Sequence, residues 1–194
     1  MRSEAVLAAL VLVLDARAGA AVVERILAVV DGRPVLLSEV ALFQKARGED
    51  VARALDGFID EQLMYREASR LPQAAVSPAE EQRAVESLRA RVPAASADEQ
   101  EQLRRLARRE AAIVKYIDFR FRPQVRVSEE AVRAAYAAEG RTDAVSFEEA
   151  APRLRARLAE EDLTRRIEAW VKELRQGADV RYNGSRPREG EPAS

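Results

Sequence analysis

Residues 22–40, VVERILAVVDGRPVLLSEV, constrain the fold more than any other stretch. Ile26–Val30 is a short continuous apolar run of the kind that forms a buried strand. Asp31-Gly32 follows, the residue types that a two-residue type I′ hairpin turn requires because both positions take positive φ. Val35–Leu37 then reads as a returning strand. Pro34 has no amide to donate, so that strand belongs at a sheet edge. Ser38 reads as the N-cap of a helix running to about Ala46, and Gly48 breaks it. Strand, turn, strand and helix start therefore fall within one short segment at the head of the chain.

The rest reads as amphipathic helices separated by clear stop signals. Val51, Leu55, Phe58, Ile59 and Leu63 form one stripe on a helix over about Asp50–Leu71, ended by Pro72. Gly57 interrupts this stripe at a cost of about 1 kcal/mol relative to alanine, which suits a close helix crossing. Ser77-Pro78-Ala79-Glu80 joins an N-cap, a first-turn proline and a capping-box glutamate. That helix carries Val85, Leu88 and Val92 up to Pro93. Ser96 and Glu99 repeat the box and open a long helix with Leu103, Leu106, Ile113, Val114, Ile117 and Phe121 inward. Ser128 caps a helix over Glu129–Ala138. Ser146 and Glu149 open the last helix, which runs to about Gln176, with Pro152 expected to kink or separate its start. Its inner face holds Phe147, Leu154, Leu158, Ile167, Trp170, Val171 and Leu174. Val180–Tyr182 reads as a terminal strand. The expected class is mainly α, with a small β-sheet formed by the N-terminal hairpin and the C-terminal strand.

At the N-terminus, Arg2 precedes the apolar run 5–14, and Ala18-Gly19-Ala20 supplies a small-x-small cleavage pattern. The run is too short for a bilayer that needs about 20 helical residues. Residues 1–20 are therefore expected to be a cleaved secretory signal, leaving no stable membrane insertion. The tail 184–194, rich in Gly, Pro, Ser and charge, is expected to be disordered.

Composition limits the chemistry. With His 0 and Cys 0, Ser-His-Asp and Cys-His catalysis and the common zinc ligands are excluded. No phosphate loop or dinucleotide fingerprint occurs, so no cofactor is expected. A net charge of −1 argues against nucleic acid as a partner. Arg104, Arg105, Arg108 and Arg109 have Glu99, Glu101 and Glu110 within helical reach and read as a solvated, internally paired face. The carboxylate pairs Asp60/Glu61 and Glu160/Glu161 likewise read as solvated. Met64, Tyr65, Tyr116 and Phe119 fall beside the core stripes. They either complete the core or form an apolar surface that accepts peptide, and periodicity alone does not separate the two.

Ile26, Ala28-Val29-Val30, Asp31, Val35-Leu36 and Ser38-Glu39-Val40 resemble the start of mature SurA-type periplasmic chaperones, which are related in organisation to trigger factor. The segment FIDEQLMYREASRLPQAAVSPAEEQRAVESL resembles that family's next helix, link and helix. Residues 116–136 are similar to the end of its N-terminal helical unit, and residues 146–182 to its C-terminal helix and strand. Family members commonly carry parvulin isomerase domains at the junction which is here only the loop 139–145. The resemblance thus implies a chaperone core over residues 21–183, with units at about 21–138 and 146–183, and without the isomerase domains. It further implies a periplasmic, ATP-independent holdase for unfolded or extended polypeptides, outer-membrane protein precursors among them. A structural or adaptor subunit for one folded envelope partner is the alternative, and an isomerase the third. Client identity and oligomeric state are not legible.

Overall fold

A computed structural model describes residues 24–93, 96–139 and 146–184. The expected signal segment, the tail after Gly184 and residues 140–145 of the junction loop lie outside them.

The hairpin forms as its residue types dictate. Strand β1 (Ile26–Val30) pairs antiparallel with β2 (Arg33–Leu36), Val30 facing Arg33 across the turn. Asp31 has φ 48° and Gly32 φ 79°, both in the left-handed region that a type I′ turn demands. Strand β3 (Val180–Tyr182) pairs antiparallel with the other side of β1, giving the order β2-β1-β3. The two ends of the described chain therefore meet in one sheet, with Pro34 on an edge strand. Asp31 fastens this junction. Its Oδ1 accepts from the Asp179 amide at 2.8 Å and its Oδ2 from Arg66. Those bonds, the Asp179 amide first and Arg66 next, hold the Asp31 carboxyl below the usual aspartate range.

Among the described residues six α-helices follow the hairpin: α1 (Leu37–Arg47), α2 (Val51–Ala68), α3 (Pro78–Arg89), α4 (Ala97–Arg120), α5 (Glu129–Ala138) and α6 (Phe147–Gln176). Asp50, Ser77, Ser96, Ser128 and Ser146 each accept a backbone N–H at the helix start, satisfying one of the amides that has no partner inside the helix. Gly48 ends α1 at φ 70°, with its amide bonded to the Gln44 carbonyl.

Four local expectations are corrected. Helix α1 starts at Leu37, directly from β2, so Ser38 lies inside it and is not the cap. Its hydroxyl instead donates to Glu24 Oε2 at 2.7 Å. Helix α2 stops at Ala68, and a single 3₁₀ turn (Pro72–Ala74) occupies the Pro72 region. Pro152 does not separate the start of α6, which is one helix from Phe147 to Gln176. So near the N-terminus the missing amide deletes only one i→i−4 bond, and Ala150, Ala151 and Leu154 pack against Val132 around it. Val114 is 55% exposed, because the inward face of α4 is set by Leu103, Leu106, Ala107 and Ile113 and passes it by.

The main core lies between the sheet and α1–α4, with Val35, Leu55, Phe58, Ile59, Leu63 and Leu103 at its centre. A second cluster surrounds Ala68, Ala74, Ala112 and Ile113. A third joins α5 to the first half of α6 around Val132 and Leu154. The second half of α6 returns across α2 and α4.

Candidate functional site

Two attachments hold α6 on the core. Trp170 is 8% exposed and stacks on Tyr116 of α4, with ring centroids 4.9 Å apart and 15° between the planes. Phe121, at the end of α4, lies 5.3 Å from the same indole. One turn further on, Arg175 bonds Asp60 and donates to the Asp56 carbonyl at 2.6 Å. The Tyr182 hydroxyl donates to Asp56 Oδ1 at 2.9 Å, so helix and terminal strand share one anchor on α2. Burial pushes the Asp60 carboxyl up, with Arg175 opposing, and burial and then Asp56 push the Tyr182 hydroxyl up.

Beside these attachments an apolar groove of about 550 Å³ stays open between α1, α2 and α6. Its apolar lining is Phe43, Gly57, Met64, Ile167 and Val171, and its rim carries Asp60, Glu168, Lys172 and Arg175. Such a size and lining suit an apolar side chain or a short peptide segment. Gly57 shapes the wall: a Cβ there would stand 3.1 Å from Phe43 Cε1, so any larger residue would push the ring back by a few tenths of an ångström. What comes close to Gly57 is the Phe43 ring of α1, a side chain and not the backbone of a crossing helix. A second cleft of about 630 Å³, between α3 and α4, is polar. Glu81 there faces Arg104 at 3.9 Å and Arg108 at 3.5 Å.

The four residues proposed for peptide contact do not form one surface. Met64, Tyr65 and Tyr116 are half-buried around the second cluster, and only Met64 reaches the groove. Tyr116 is occupied by Trp170. Phe119 is 52% exposed and belongs to no buried cluster. Phe43 was missed. The interrupting Gly57 was the one sequence signal pointing toward it.

The solvated reading of Asp60/Glu61 is overturned. Glu61 is 2% exposed, and its Oε1 accepts from Arg109 Nε at 2.6 Å. Asp60 is half-buried against Arg175. The arginine cluster is solvated only in part. Arg104 and Arg105 pair with Glu101 at 3.8 and 3.7 Å, but Arg109 turns inward with its side chain 14% exposed. Among the described residues no group of three acidic, His or Cys side chains could hold a metal ion. No helix of the described residues is long and apolar enough to cross a membrane. Neither a family model, nor a curated protein, nor a solved structure matches the chain.

Proposed function

We propose that this protein is an ATP-independent holdase of SurA-type organisation, exported to the periplasm, that binds unfolded polypeptides, outer-membrane protein precursors among them. The observation that carries this reading is the open groove between α2 and α6, where Ile167 and Val171 face Phe43 and Met64 across the glycine step. Apolar surface left uncovered on a folded domain marks interaction sites, because desolvating it on binding is favourable. The rim offers charges of both signs, which suits varied clients better than one dedicated charge pattern. The SurA-like ordering of hairpin, helices, junction loop, C-terminal helix and strand supports the same reading.

The test is light scattering of two unrelated denatured proteins diluted into buffer without nucleotide. Wild-type protein at equimolar amounts slows aggregation of both. Val171→Asp, which puts a carboxylate into the groove, protects less while keeping its circular dichroism and Trp170 emission. Absence of any protection at stoichiometric excess would sink the proposal. A single folded protein co-purifying in fixed ratio, without protection of the model substrates, would instead identify an adaptor.

A further inference from the structure

Glu61 is the buried charged residue of the described core, and it sits in the seam between α2 and α4. An ionised carboxylate offers about four acceptor positions. Here one is used, by Arg109, and among the described residues Glu61 Oε2 is buried without a hydrogen-bond partner. Arg109 is itself shared, its guanidinium lying 5.1 Å from the centroid of the Phe58 ring. The other charges facing Glu61 are Glu110 of α4, which opposes its ionisation, and Arg47 of α1, which favours it. These two pair with each other at 3.1 Å and largely cancel. Glu39, Arg105 and Arg109 also border a cavity of about 10 Å³, barely the space of one water. Among the described residues, Arg109 is thus the uncancelled charge that answers a carboxylate only 2% exposed.

We propose that Glu61 is a proton-binding site of the folded protein, and that the α2–α4 seam is fastened more firmly when this carboxyl is neutral than when it is ionised. Neutral Glu61 still accepts from Arg109 through its carbonyl oxygen, and the large cost of burying a charge is exchanged for the smaller cost of one buried hydroxyl at Oε2. Burial, which outweighs Arg109, pushes the carboxyl from an ordinary 4.5 up to about 7. The folded state then binds the proton more tightly than the unfolded state does. The stabilisation is complete below the unfolded value and is lost as pH rises through about 7. The seam is tightest in mildly acidic surroundings and loosens as pH passes neutrality. This inference stands apart from the groove, and neither depends on the other.

The experiment compares urea unfolding of full-length wild type and Glu61→Gln from pH 5 to pH 8.5. Glutamine keeps the shape and fixes the uncharged form. The ratio of wild-type to variant folding constants should fall roughly 70-fold across that range. A flat ratio, or one that rises with pH, overturns the proposal. Carboxyl carbon NMR of Glu61 in the wild type provides a readout that does not need the variant to fold. A midpoint above pH 5.5 supports the assignment, and one at or below pH 5.5 overturns it. Arg109→Gln, which removes the attracting cation, should move that midpoint higher still.

Discussion

Gly57→Ala sets two effects of similar size against each other, and the structure says which wins. Alanine is favoured over glycine in a helix interior by about 1 kcal/mol. Against this, the new methyl would lie 3.1 Å from Phe43 Cε1 and 3.5 Å from its Cζ. Carbon atoms rest at about 3.5–4.0 Å, so the ring must retreat by several tenths of an ångström. It has little freedom to do so. Phe43 is 3% exposed, meets Phe58 edge-on at 5.7 Å, and has the Arg47 guanidinium 5.1 Å from its centroid. Forcing a methyl into such a site costs about 1–3 kcal/mol. The net expectation is a destabilisation of about 1 kcal/mol. In a Phe43→Leu background the two crowding atoms are absent, and the same Gly57→Ala change should stabilise by about 1 kcal/mol. A double-mutant cycle then gives a coupling of about 2 kcal/mol, with the sign of the glycine substitution reversed. Urea unfolding followed by both circular dichroism and Trp170 fluorescence measures it. If Gly57→Ala stabilises equally in both backgrounds, Phe43 is not seated against Gly57 and the wall of the groove has been misplaced.

Two further outcomes are expected. Tyr116→Leu removes the ring stacked on Trp170 and should cost about 1 kcal/mol beyond the area lost, with a red shift of the emission; unchanged stability and emission would refute the α4–α6 contact. Glu80 is held down to about 2 by the Ser77 amide, then by Lys115 and the Ser77 hydroxyl. Its stabilising contribution is full above the ordinary value of 4.5 and is lost as pH falls toward 2, so Glu80→Gln should flatten the acid limb of the stability profile. Superimposable acid limbs for the two proteins would refute that role.

Elements whose signals are local were legible in the sequence. Asp31-Gly32 formed the expected turn, and Ser77, Ser96, Ser128 and Ser146 each became an N-cap, since a cap depends on residues within four positions of it. Ser38 failed for the opposite reason. The Leu37 amide bonds the Arg25 carbonyl, which carries the hairpin straight into α1, and the Ser38 hydroxyl is taken by Glu24, fourteen positions away. Charge was the least legible property. The i, i+4 pattern around Arg104–Glu110 does predict intrahelical pairs, but it carries no information about a carboxylate on another helix. Arg109 therefore looked solvated although Glu61 draws it inward. Val114 shows the converse: its apolar type suits the core, yet among the described residues no element buries that side of α4.

The groove was half legible, and the missing half explains why it stays open. Ile167 and Val171 fall on the expected inner face of α6, and both line the groove together with residues of α2. What sequence periodicity cannot supply is how far α6 stands from its neighbour. That distance is set by Trp170 resting on Tyr116 and Phe121, and by Arg175 reaching Asp56 and Asp60. A bulky aromatic stack and a long arginine are spacers as well as anchors. They seat the helix at two points, and Ile167 and Val171 line the groove beside them, opposite Gly57. The residues that anchor α6 on α2 and α4 therefore lie beside an apolar groove that stays open.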